Sequence, residues 1–227
     1  MSRISDLVTR MAVIPDKERR AIQLGEMIAV RDKLRISADR AEELRSLSSA
    51  LEPVGGTDFV ERAKQGLAQA SSSALRLKAR LESGSGFDRK RSDEALTAIN
   101  ERLENATAAI NKGWRTLVDG HGTRFRPLAV AAERASLPGA DKLNAAIVRL
   151  EEWRDCPPTT PQEATAYVAN AARIPASIAE LGLEGRAGKF MVDAANGRAR
   201  ARDLQEAEVI AFLDAHPAVW SLLKVGF

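Results

Sequence analysis

Residues 96–117 read LTAINERLENATAAINKGWRTL. In this stretch Leu96, Ile99, Leu103, Ala106, Ile110, Gly113 and Leu117 recur in alternating steps of three and four. A 3.5-residue period keeps one stripe of a helix turned toward a neighbouring helix along its whole length. A strand would instead alternate every second residue, and no convincing alternation of that kind occurs in the chain.

Upstream, Ser83-Gly-Ser-Gly86 reads as a connection. Before it, Val60, Ala63, Leu67, Ala70, Ala74, Leu77 and Leu81 form a second stripe with no polar member. Pro53-Val-Gly-Gly56 ends a third stripe, built from Met27, Val30, Leu34, Ser37, Ala41, Leu44, Ser48 and Leu51. Ile4, Leu7, Val8 and Met11 share one helical face. Pro15 is expected to interrupt there, with Asp16 opening the helix of about residues 17–52. Two short connections make neighbouring helices antiparallel. Each of these helices is roughly 40–55 Å long at 1.5 Å per residue. The Ala-rich seams bury little area but let helices approach closely. After Leu117, Asp119-Gly-His-Gly122 reads as the stop.

The rest of the chain has a different texture. Only Phe59 and Phe87 precede Trp114 among the aromatics, and only Pro15 and Pro53 precede residue 120 among the prolines. Shorter helices are expected from Ala140 to Cys156 and over about 162–181, 186–196 and 204–214. The first carries Leu143, Ile147, Leu150 and Trp153 in register and ends at Pro157-Pro158. Thr160-Pro161-Gln162-Glu163 has the form of a capping box. Gly182 and Gly197 suit helix ends, and Asp203 with Glu206 suits a start. Pro217 opens a short last helix carrying Val219, Trp220, Leu222 and Leu223. The expected fold is all-α: an elongated antiparallel, coiled-coil-like bundle over residues 1–120, then a compact helical domain over 121–227.

Composition narrows the function. The 227 residues carry a formal charge of +3, too little for a chain that coats nucleic acid. The single cysteine, Cys156, can form no internal disulfide and no thiolate zinc cluster. No apolar run approaches the ~18 residues that span a bilayer. The start lacks the apolar core of a signal peptide, so a cytoplasmic location is expected. The Ala- and Arg-rich composition suggests a bacterial source.

Chemical motifs fail on inspection. Gly182-Leu-Glu-Gly-Arg-Ala-Gly188-Lys189 looks like a phosphate-binding loop. Its outer glycines are one residue too far apart, however, and Phe190 stands where Ser or Thr would hold magnesium. As a helix-turn-helix it would present Arg186 and Lys189, but Ala179 precedes the turn glycine by three residues instead of four. His121 and His216 lack the Glu-x-x-His spacing of di-iron bundles. Cys156 at a helix C-terminus would have its thiolate opposed by the helix dipole. Neither Glu42-Glu43 nor Glu151-Glu152 can converge as an acid–base pair on a helix. No catalytic residue, metal site or cofactor is expected.

The cations are the candidate contact residues. Lys78, Arg80, Arg89, Lys90 and Arg91 bracket the Ser83–Gly86 connection. Arg198, Arg200 and Arg202 follow Gly197, and Arg186 and Lys189 complete the set. The expected function is a non-enzymatic adaptor or accessory subunit of a multi-protein complex, working through helix packing. Its partner would be another protein or a second copy, with no membrane. The alternative is a nucleic-acid-binding protein using the basic turn or the helical corner.

Overall fold

The computed structural model describes residues 2–55, 58–83 and 87–222, with side chains described only between residues 18 and 220. Eight α-helices and no strand occur among the described residues. They are α1 (Ser2–Ala50), α2 (Asp58–Ser83), α3 (Arg89–His121), α4 (Arg126–Arg134), α5 (Ala140–Glu151), α6 (Pro161–Glu180), α7 (Gly185–Ala195) and α8 (Ala207–Ala215). The chain divides into two compact units. One comprises residues 1–48 and 58–110, the other 49–57 and 111–227, so the division falls inside α3.

In the first unit the seams are the buried faces. Val30, Leu34, Ser37, Leu44 and Ser48 of α1 are buried, as are Val60, Ala63, Leu67, Ala70 and Leu77 of α2. On α3, Leu96, Ile99, Leu103, Ala106 and Ile110 are buried. Cross-contacts give the directions. Glu26, Lys33, Ser37 and Arg40 of α1 meet Arg89, Asp93, Asn100 and Glu104 of α3 in rising order, so those two helices run parallel. Ser73 of α2 meets Arg102, and Gly66 lies beside Ala106, so α2 runs the other way. The small pair Gly66 and Ala106 brings the α2 and α3 backbones close. The buried Ser37 hydroxyl donates to Asn100 Oδ1 at 2.8 Å, a polar contact at a seam position that fixes which residues face each other.

Several expected boundaries are corrected. Pro15 does not end a helix: α1 runs through it. A proline removes one backbone donor and crowds one carbonyl, a local cost of about 3 kcal/mol that a long helix absorbs. Likewise α6 carries Pro175 in its interior. The face of Ile4, Leu7, Val8 and Met11 lies outside the described side chains, as do Leu222 and Leu223. Gly56 and the Gly84–Gly86 part of the connection lie outside the described residues. The end of α3 at His121 falls within the expected Asp119–Gly122 stop.

The seam of α3 also changes step. After Ile110 the buried residues are Trp114 and Val118, while Gly113 and Leu117 are only half-buried. Two successive steps of four rotate the buried stripe where the helix passes from one unit to the other.

In the second unit α4 packs on α5 and α7, α5 on α6, and α7 on α8. α6 also meets the 3₁₀ turn Glu52–Val54. Its core holds Trp114, Leu143, Ile147, Leu150, Tyr167, Ile174, Leu183 and Met191, all essentially inaccessible. The α6 capping box forms as expected: the Glu163 amide donates to Thr160 Oγ1, and the Glu163 carboxylate accepts from the Thr160 amide. The Thr159 amide and hydroxyl, and after them the Thr160 amide, donate to the Glu163 carboxylate and hold it below its ordinary pKa. α5 ends at Glu151, five residues before Cys156, because the chain turns there to place Trp153 against Trp114. The helix expected over about 204–214 forms as α8, and its first turn is replaced by a separate 3₁₀ turn, Ala201–Gln205. Asp203 stops this turn's opening amide from going unpaired by accepting from the Arg200 N–H at 2.8 Å.

Candidate functional site

Half of the cations named from sequence are tied to a neighbouring carboxylate. Arg89 donates to Asp93 Oδ2 at 2.6 Å and lies 3.5 Å from the Glu26 carbonyl, so it joins α3 to α1. That hydrogen bond, with the charges of Arg89 and Lys33, holds the Asp93 carboxyl below its ordinary pKa. Arg91 pairs with Asp88 at 3.6 Å and Lys78 with Glu82 at 3.7 Å. Arg80 and Lys90 are exposed on α2 and α3.

The cations of the second unit behave similarly. Arg186 pairs with Glu206 at 3.4 Å and Arg202 with Asp203 at 3.9 Å. With Lys189 and Asp193 they line a cavity of about 320 Å³ in which three cations face three carboxylates. That balance gives the cavity no net positive field. Arg198 and Arg200 are exposed beside it in sequence and bond through their backbone amides, to the Asp193 carbonyl and the Asp203 carboxylate.

The phosphate-loop lookalike has a structural explanation. Gly182 and Gly185 have φ of 64° and 54°, left-handed values that disfavour a side chain. A Cβ on Gly188 would stand 2.3 Å from the Leu183 carbonyl oxygen. The place where a phosphate would meet the N-terminus of α7 is taken by the Glu208 carboxylate, 3.0 Å from the Arg186 amide nitrogen.

Sequence reasoning missed two features. The first is an aromatic cluster at the end of α3. The Trp114 indole N–H donates to the Trp153 carbonyl at 2.6 Å, and its ring lies 4.5 Å from that of Tyr167. Burial pushes the Tyr167 phenol up, so it stays protonated. Burial, with the Arg124 charge second, holds His121 below its ordinary value. Tyr167 Oη lies 2.9 Å from His121 Nδ1. The two groups share one hydrogen bond, whose direction follows from the imidazole tautomer. Ion pairs Arg115–Asp155, Arg126–Glu151 and Arg154–Asp119, each at 2.9 Å, hold the turn after α5 around this cluster. The signal was available: Trp114 is the large apolar residue just off the heptad stripe.

The second is an open groove of about 650 Å³ between α1 and α2. Its apolar walls come from Leu24, Met27, Ile28, Leu34, Ala38 and Leu81. Leu24 and Ile28 are 58% and 42% exposed, and Leu75, on the α2 stripe of Lys78 and Glu82, is 66% exposed. This second stripe runs beside the buried seam. Apolar residues at off-seam positions 24 and 28 are its mark in the sequence.

Among the described residues no three His, Cys, Asp or Glu side chains converge as metal ligands, and no helix is long and apolar enough to cross a membrane. Fold and surface together define an all-α, helical-bundle protein. No protein-family model, curated protein or solved structure matches the chain.

Proposed function

We propose that this protein is a non-enzymatic adaptor or accessory subunit that holds another protein, or a second copy of itself, through helix packing. The observation that carries the reading is the apolar stripe left open beside the α1–α2 seam. Soluble chains rarely leave contiguous apolar surface uncovered without a partner for it. The 3.5-residue stripes give the same helices a coiled-coil-like character suited to packing on further helices. The candidate cations support a scaffold more than a reacting centre, because half of them already neutralise a neighbouring carboxylate. An exposed lone thiol, Cys156, suits a reducing compartment such as a bacterial cytoplasm.

The test is isolation of the tagged full chain from its native extract, with light scattering on the purified protein. A partner recovered in stoichiometric amount, or a defined oligomer, is expected. A strictly monomeric chain that retains nothing contradicts the reading. Salt-sensitive DNA binding that is lost on charge reversal at Arg89, Lys90 and Arg91 would replace it with a nucleic-acid role.

A further inference from the structure

The groove between α1 and α2 is specific enough to say what fits it. Residues 24–38 of α1 span four turns, roughly 21 Å of helix. Leu24, Met27, Ile28, Arg31, Arg35 and Ala38 follow the i, i+3, i+4, i+7 spacing of a single face. A long, open, apolar channel of that length takes another helix laid along it, whose side chains enter the channel at the same spacing.

Charge selects the helix. The groove carries Arg31, Arg35 and Lys78 against Asp32 and Glu82. Asp32 is held by Arg31 at 3.1 Å and Glu82 by Lys78 at 3.7 Å. Arg35 forms no ion pair among the described residues and is exposed. A second copy of the chain fits poorly. Two-fold pairing of this face about its centre sets Arg31 against its own counterpart and Arg35 against Met27 and Ile28. The second of these contacts buries the unpaired Arg35 against apolar side chains with no carboxylate to meet it. Nucleic acid fits no better, since the walls are apolar and two carboxylates stand on the rim.

We propose that this groove receives an amphipathic helix from a different protein, its apolar face on Leu24, Met27, Ile28 and Leu81 and a flanking carboxylate on Arg35. The proposal rests on the reading of the protein as an interaction protein and narrows the partner to one class.

The experiment is fluorescence anisotropy with the purified full chain and three labelled helical peptides. One carries leucines at i, i+3, i+4 and i+7 with glutamates on the flanks. The second replaces the glutamates with lysines, and the third scrambles the first. Saturable binding of the glutamate peptide is expected, about tenfold tighter than the lysine peptide, which corresponds to about 1.4 kcal/mol. The scrambled peptide should not bind. Arg35→Glu should erase or invert the preference, and Ile28→Asp should abolish binding. Both sites are exposed, and circular dichroism melts would show that the variants fold.

No saturable binding of the glutamate peptide, equal affinity for both charged peptides, or full binding by Ile28→Asp would overturn the proposal. So would a wild-type dimer that Ile28→Asp converts to monomer, since the occupant would then be a second copy. A native partner retained while the peptides fail removes the groove and leaves the adaptor reading. Loss of every native partner removes both.

Discussion

His121 shows how one side chain links burial to pH. In the folded chain its imidazole is half-buried, its pKa lies below the ordinary value, and Nδ1 faces the Tyr167 hydroxyl. The unfolded chain therefore binds a proton more readily than the folded one. The stability this group contributes is complete above about pH 6.5 and falls as pH drops toward the depressed folded value. Tryptophan fluorescence is a direct probe, because Trp114, Trp153 and Trp220 all belong to the second unit. Urea titrations at pH 7.5 and 5.5 should show the wild type losing stability at the lower pH. His121→Gln should flatten that loss. Equal pH dependence in the two proteins would remove His121 as its source. The sequence placed His121 in a loop between glycines, where it seemed inert. What could not be read was that α3 carries it one turn beyond Val118, to where α6 presents Tyr167. That contact joins residues 46 positions apart, which no local pattern encodes.

At the scale of elements, local chemistry was the most legible. The capping box at Thr160 and the glycine stops at 182 and 197 are set by neighbouring residues, and each forms. The end of α4 follows the same geometry with a less suited residue. The Leu137 amide donates to the Ala132 carbonyl and the Ser136 amide to that of Glu133, with Ser136 at φ 53°. This is a Schellman ending with serine in the left-handed position that glycine usually fills. Ser136→Gly should raise stability by about 0.5–1 kcal/mol in denaturant unfolding. A loss would show that the serine side chain contributes more than its strained backbone costs. α4 itself was not anticipated from sequence, since nine residues give too little periodicity. Pro15 and Trp153 misled for opposite reasons. A proline was given more weight than a long helix gives it, and a residue in helical register was drawn out of the helix by a tertiary hydrogen bond to Trp114.

For the whole molecule, the two units divide at Ile110, inside α3, and residues 49–57 join the second. Ala- and Leu-built seams make the first unit, and aromatic residues fill the second. The buried stripe of α3 was legible up to Ile110 and lost there, because its change of step answers a different set of neighbours. The candidate cations were legible only as residues. Their carboxylate partners come partly from other helices, as with Glu206 for Arg186, and so lie outside any local reading. The α1–α2 groove became visible only once α2 covered one side of α1 and left Leu24 and Ile28 open. The central claim is that this open stripe holds a partner. Its most direct test compares partner recovery from native extract by the wild type, by Ile28→Asp, and by Val148→Asp at an exposed apolar site of the second unit. Loss of the partner with Ile28→Asp alone is the predicted result. Equal recovery by all three would contradict the account.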